Sequence, residues 1–297
     1  MILEVIFILR NIKMKIRKIN LSSIIFKNLF FLLSAWSVEL KAQNLAYDDL
    51  LLTDLNYRFG TNDPYALERC VLDVYLPKNK DFATVVWFHG GGLTGGNKYI
   101  PEGLKKKGMA VVAVNYRLYP KVGSPTFVDD AAAAVAWVFQ NITFYGGDPN
   151  LIFVSGHSAG GYLTSMLGLD KSYLYNYGID ADAIAGLIPY SGHTITHFTV
   201  RSELGLKWED VRVDNMSPLA HIRKDAPPII LITGDRELEL YGRYEENAYF
   251  WRMLQIIGHP NVELYELEGY NHGDMAVPAH HILLKYISKI SSEITAR

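Results

Sequence analysis

Leu151-Ile152-Phe153-Val154-Ser155-Gly156-His157-Ser158-Ala159-Gly160-Gly161 decides the reading of this chain. A short apolar run ends in Gly-His-Ser-Ala-Gly, and helical spacing follows at Tyr162, Leu163, Met166 and Leu167. The pattern predicts a buried strand, a very tight turn and a helix start, with Ser158 at the tip. Gly156 and Gly160 let the chain cross closely on either side of a strained serine. Strain lifts the hydroxyl above the sheet edge, where a base can reach it. The helix start adds free N–H groups and a positive dipole end, which suit a developing oxyanion. A G-x-S-x-G string also occurs by chance; the strand before it and the helix after it favour the nucleophile.

Working outward, residues 83–88 (Ala-Thr-Val-Val-Trp-Phe) form a near-continuous apolar run that fits a strand buried on both faces. It leads into His89-Gly90-Gly91-Gly92. Three glycines there allow main-chain N–H groups to turn toward a ligand. The competing reading is a flexible loop. Beside the serine turn, the sharper assignment is that Gly91, Gly92 and Ala159 donate N–H groups to an oxyanion, with His89 organising the loop. At the other end, residues 262–267 alternate as a strand and run into Gly269-Tyr270-Asn271-His272-Gly273-Asp274. A histidine in a glycine-flanked loop after the last strand is placed to act as general base, so His272 is the expected base. His259, His280 and His281 read as surface or capping residues.

Composition bounds the rest. The 297 residues carry a net charge of −2 and no basic stripe, which argues against a nucleic-acid partner. The single cysteine, Cys70, excludes an internal disulfide and reads as sheet filling. Lys15, Arg17 and Lys18, an apolar stretch to Leu33, and small and polar residues to Gln43 form the pattern of a secretory signal. Residues 1–42 are therefore expected to be a signal peptide cleaved after Ala42, with Met14 as a candidate start, giving a secreted or periplasmic protein. An uncleaved anchor is the alternative. It is weakened by Lys27 and by a run shorter than the ~20 residues of a span.

Between the motifs, strand and helix patterns alternate. Residues 57–59 and 71–76 read as early strands around a turn at 60–64, residues 101–107 as a helix, and 109–114 as a buried strand. A long helix over 126–141 and strands over 183–188 and 229–233 follow. The alternation predicts a mostly parallel sheet with helices on both faces. Residues 193–217 break the rhythm and are expected to form a small cap insertion that lines the pocket. His193 and His197, four apart, could hold a metal if they shared a helix face; pocket lining is the favoured reading, and no metal or cofactor is expected.

Together, His89-Gly90-Gly91-Gly92, Asn115-Tyr116-Arg117-Leu118, Tyr145-Gly146-Gly147-Asp148-Pro149 and Gly156-His157-Ser158-Ala159-Gly160 resemble α/β-hydrolases of the esterase branch that includes hormone-sensitive-lipase-like carboxylesterases and feruloyl esterases. The resemblance covers nearly all of residues 65–290. It implies an eight-stranded α/β-hydrolase fold over 43–297, no cofactor, and a Ser-His-acid triad acting on carboxylic esters. Feruloyl or acetyl esters of plant polysaccharide are among the substrates implied. The family's acid usually stands third after the glycine that ends its strand. That falls on Glu237 in Gly234-Asp235-Arg236-Glu237, with Asp235 as the alternative. Two further readings stay open: amide or formamide hydrolysis on the same triad, as in arylformamidases, and a non-catalytic binding protein. The expected partner is a small or polysaccharide-linked ester, with no nucleic acid and no membrane span after cleavage; the oligomeric state is not legible.

Overall fold

The computed structural model describes residues 49–296, so the expected signal peptide lies outside the described residues. Eight strands form one sheet: β1 (Leu50–Asn56), β2 (Val71–Leu76), β3 (Phe82–Phe88), β4 (Ala110–Val114), β5 (Gly147–His157), β6 (Gly186–Tyr190), β7 (Ile229–Gly234) and β8 (Val262–Leu267). Their order is β1-β2-β4-β3-β5-β6-β7-β8. The pairs β1–β2 and β2–β4 are antiparallel, and all others are parallel. The expected mostly parallel sheet with helices on both faces is what the chain forms, with an antiparallel edge at β1 and β2.

Period-two alternation in the central strands feeds two cores. On one face, Val86, Phe88, Ile152 and Val154 pack against α2 (Thr126–Asn141) and α3 (Ala159–Leu169). On the other, Val85, Trp87 and Phe153 pack against the C-terminal helix, through Leu283, Tyr286 and Ile290. That helix is α7 (Ala276–Thr295); the short helices α1 (Pro64–Arg69), α4 (Lys171–Tyr175) and α5 (Phe198–Glu203), and α6 (Arg243–Ile256), complete the α-helices of the described residues. Because the central strands are parallel, their C-terminal ends share one edge, and the loops that carry function in this architecture emerge there. Register makes this concrete. Phe88 pairs with Gly156, His157 with Tyr190, and Gly234 with Leu267.

Three local expectations are corrected. Residues 57–59 are not a strand: β1 lies earlier, and α1 follows the expected turn, its first turn capped by the Asp63 carboxylate on the Tyr65 N–H at 2.9 Å with Pro64 at the first helical position. Residues 101–107 make only a short 3-10 turn, Glu102–Leu104. His259 and His280 are buried rather than at the surface. His259 Nε2 lies 3.0 Å from the Ala226 carbonyl, and the His280 ring packs on Trp87 and Tyr190.

Buried imidazoles make the fold acid-sensitive. Burial pushes His89, His193 and His280 down to about 4. An unfolded chain protonates histidine near ~6.5. Between those values the unfolded state holds the extra protons, so this stability is complete above the unfolded value and is lost as pH falls toward 4. Each imidazole contributes a slope of up to ~1.4 kcal/mol per pH unit inside that window. Urea midpoints measured at pH 7, 6 and 5 should fall stepwise; a midpoint that holds constant to pH 5 would contradict the burial argument.

Candidate active site

β5 ends at His157 and α3 begins at Ala159, which leaves Ser158 alone at the apex with φ 58° and ψ −115°. For a non-glycine residue such a conformation costs on the order of 1–3 kcal/mol, and the surroundings must enforce it. The Ser158 N–H donates to the Tyr190 carbonyl at 2.8 Å, and its own carbonyl accepts from the Tyr162 N–H at 3.0 Å. The flanking glycines answer to crowding. A Cβ on Gly160 would stand 2.1 Å from the Phe88 carbonyl oxygen, and one on Gly156 would stand 2.6 Å from the same atom.

His272, in the loop after β8, meets this serine across 114 residues of sequence: its Nε2 lies 2.9 Å from Ser158 Oγ. On the other side of the ring, Nδ1 lies 2.8 Å from Glu239 Oε2. The acid position therefore differs from the expectation. Glu237 is exposed, and among the described residues its carboxylate takes no hydrogen bond. Asp235 accepts from the Gly269 and Glu237 N–H groups, at 2.8 and 2.9 Å, and so shapes the loops instead of holding the base. The reason is a single helical turn, in which the Leu238 and Glu239 N–H groups both bond to the Asp235 carbonyl. At about 100° per residue, positions 235 and 239 share a face while 237 points the opposite way.

Glu239 is fully enclosed. Its Oε1 accepts from Ser191 Oγ at 2.6 Å and from the Gly234 N–H at 2.9 Å, and its Oε2 also accepts from the Leu240 N–H at 3.0 Å. Burial alone would push this carboxyl up. The His272 and Ser191 hydrogen bonds, the His272 charge and the Gly234 N–H outweigh it and hold the group at about 2. Ser191 Oγ also lies 2.9 Å from His272 Nδ1, so one hydroxyl touches both partners. Its backbone is unusual too, at φ 44°. The Arg243 guanidinium steadies it by donating to the Ser191 carbonyl. Sequence reasoning missed both Ser191 and Arg243, because their roles depend on strand neighbours rather than on local spacing.

The glycine loop lies beside the serine, since a Cβ on Gly90 would stand 3.3 Å from Ser158 Cβ. Gly91 and Gly92 both have positive φ, 112° and 64°. Among the hydrogen bonds of the described residues, none uses the N–H of Gly91, Gly92 or Ala159 as donor. His89 organises the loop as expected: its ring stacks on Tyr116 at 4.5 Å, with Nδ1 2.6 Å from the Gly90 carbonyl. The Tyr116 hydroxyl donates to the His89 carbonyl at 2.9 Å.

Segment 193–217 meets the same loop. Thr199 Oγ1 donates to the Gly92 carbonyl, and the Phe198 ring reaches to 2.9 Å of where a Gly92 Cβ would be. His193 and His197 do not share a helix face. His197 caps α5, its Nδ1 accepting from the Thr199 N–H at 3.2 Å, whereas His193 lies in the preceding loop with Nδ1 2.8 Å from Glu246 Oε1. Among the described residues no His, Cys, Asp or Glu cluster has metal-site geometry. Trp208 of this segment and Tyr241 beyond the acid turn form an exposed aromatic pair, 5.5 Å between centroids.

The BD-FAE family model matches residues 72–185. Esterase LipC of Mycobacterium tuberculosis is 28% identical over 205 residues, which cover 63% of this chain and 50% of that protein. The chain spans about half the length of the curated relatives it matches. Among solved structures, a truncated carbohydrate esterase from gut microbiota aligns with a TM-score of 0.68 at 18% identity, covering 82% of this chain and 96% of that one. The propionate-bound esterase Est2 of Thermogutta terrifontis aligns at 0.63 and 23%, covering 80% and 93%. At these identities the structures establish the shared fold.

Proposed function

We propose that the chain is a carboxylesterase of the α/β-hydrolase fold, on the hormone-sensitive-lipase-like serine-esterase branch, working through Ser158, His272 and Glu239. The observation that carries this reading is the continuous chain of contacts Ser158 Oγ–His272 Nε2–His272 Nδ1–Glu239 Oε2, at 2.9 and 2.8 Å, built on a strained serine.

The chemistry follows from the atoms. His272 Nε2 takes the Ser158 proton as Oγ bonds to the ester carbonyl carbon. The carbonyl oxygen becomes an oxyanion and is received by the N–H groups of Gly91, Gly92 and Ala159. His272 gives its proton to the departing alkoxide, so an alcohol leaves and an acyl-serine remains. Water then attacks the acyl carbon, giving its proton to His272, and collapse releases the acid and restores Ser158. Glu239 stays ionised throughout and holds the imidazole with its Nδ1 proton toward the carboxylate.

The finer reading is an exported enzyme acting on feruloyl or acetyl esters of plant polysaccharide. The signal pattern of residues 1–42 supports export. The carbohydrate-esterase likeness and the exposed Trp208–Tyr241 pair, whose apolar faces suit a sugar ring, support the substrate. Segment 193–217 then acts as a cap beside the pocket.

The test is direct. The purified protein is treated with a fluorophosphonate probe and assayed on p-nitrophenyl acetate, butyrate and octanoate, methyl ferulate, acetylated xylan and a matched amide. Covalent labelling together with turnover of feruloyl or acetylated saccharide esters is the expected result. Labelling with turnover of small activated esters alone would remove the polysaccharide reading. Amide turnover above ester turnover would move the protein to the amidases, and no labelling would leave a binding protein.

A further inference from the structure

His157 stands between Gly156 and the nucleophile, and nothing in the acyl-transfer scheme uses it. Its Nε2 lies 2.7 Å from the main-chain carbonyl oxygen of His272. A carbonyl can only accept, so Nε2 carries the proton and donates it. The two imidazoles lie with centroids 4.8 Å apart and planes tilted by 39°. The other ring nitrogen, Nδ1, faces the glycine loop, 3.4 Å from where a Gly90 Cβ would stand. One side chain thus touches the base loop and the glycine loop while rooted next to the nucleophile.

The base needs such an anchor. Residues 268–271, 273 and 274 are exposed, and His272 itself is half-buried. Within the loop, the Asn271 side chain accepts from the Gly273 and Asp274 N–H groups, each at 2.9 Å, which sets local shape but ties the loop to nothing else. The Asp235 N–H bond to the Tyr270 carbonyl at 2.8 Å tethers the loop to the acid turn. Among the described residues, the His157 bond is the one main-chain tether from this loop to the serine turn. Exposed loops with few contacts open most easily, and catalysis loses rate steeply when a base drifts by an ångström.

We propose that His157 is a positioning residue: its Nε2–H clamps the His272 carbonyl so that the base loop and the nucleophile turn move as one body. The proposal rests on the esterase reading above. It also explains why a ring that stays neutral occupies this position. Burial first, and then the neighbouring His272, push His157 down to about 4. A permanent cation there, such as lysine or arginine, would oppose the imidazolium that forms on His272 during the reaction.

Three variants test the clamp. His157→Phe keeps a ring and removes the donor. His157→Leu is the companion, should the ring be poorly accepted. His157→Gln restores an N–H at a similar reach. With a soluble ester the expected result is a fall in kcat of between about 10- and 100-fold for Phe or Leu, with KM within about twofold. Gln should recover most of the loss. Hydrogen exchange of the 268–275 amides should quicken in Phe and Leu and return toward the parent in Gln. Unchanged kcat and unchanged exchange would overturn the clamp, as would a loss that falls on KM or is not rescued by Gln. If the parent protein shows no serine-dependent turnover, the esterase reading fails by itself, and exchange in the loop still decides whether His157 holds it.

Discussion

Replacing Ser158 by alanine is expected to lower kcat on a carboxylic ester by about 10⁶-fold while leaving KM within a few-fold of its starting value. Ser158 Oγ is the proposed nucleophile at the apex of the turn, and among the described residues His272 Nε2 has no other hydroxyl within hydrogen-bond reach. Alanine inherits the same φ of 58°, because the strain is imposed by the Tyr190 and Tyr162 backbone bonds and not by the hydroxyl. The variant should therefore fold with nearly unchanged stability, and the loss should be chemical. A residual rate above water of about 10³–10⁴ is expected, since the proposed glycine-loop donors would still receive the oxyanion. Steady-state assays with fluorophosphonate titration, to correct for trace parent enzyme, measure this. A variant that keeps more than about a hundredth of the parent rate would remove Ser158 from the mechanism.

The parts of this site that local spacing specifies were legible in the sequence. The serine turn demands an apolar strand, a glycine on each side and a helix, and all of these fall within eleven residues. The long helix over 126–141 was likewise readable, because a sustained 3.6-residue period leaves little choice. Other features depend on what the fold brings alongside. α1 hid behind Asp63-Pro64, a cap and first-turn pair that also reads as a turn. His280 looked like a surface residue at a helix start, yet that turn of α7 faces the sheet, where Trp87 and Tyr190 enclose the ring. Ser191 gives no sequence signal at all. Its hydroxyl matters only because β6 lies between β5 and β7, which sets it between the base and the acid.

The acid is where sequence and geometry part, and it supports the second large prediction. Glu239→Gln should lower kcat by about 10³–10⁴-fold, whereas Glu237→Gln should change it by less than about twofold. The glutamine is nearly isosteric, so the turn from Asp235 to Glu239 can persist. Its amide, however, offers a donor as well as an acceptor to His272 Nδ1. When the amide N–H donates, the imidazole proton is driven to Nε2, which then cannot accept the proton of Ser158. The carboxylate's charge, which stabilises the imidazolium as it forms, is lost as well. Asp235→Asn should fall between the two. It weakens the loop bonds to Gly269 and Glu237 and costs about 1 kcal/mol of stability, with kcat held within about tenfold, because Asp235 does not touch the base. The three variants discriminate because the acids sit at alternating positions on one helical turn: two face the protein and one faces solvent. Since Glu239 is held at about 2, the parent enzyme should keep this carboxylate ionised across the whole working range, and the acid limb of its kcat/KM profile should not report Glu239. If Glu239→Gln kept more than a tenth of the parent kcat, or if Glu237→Gln lost as much as Glu239→Gln, the acid would have to be sought elsewhere on the turn.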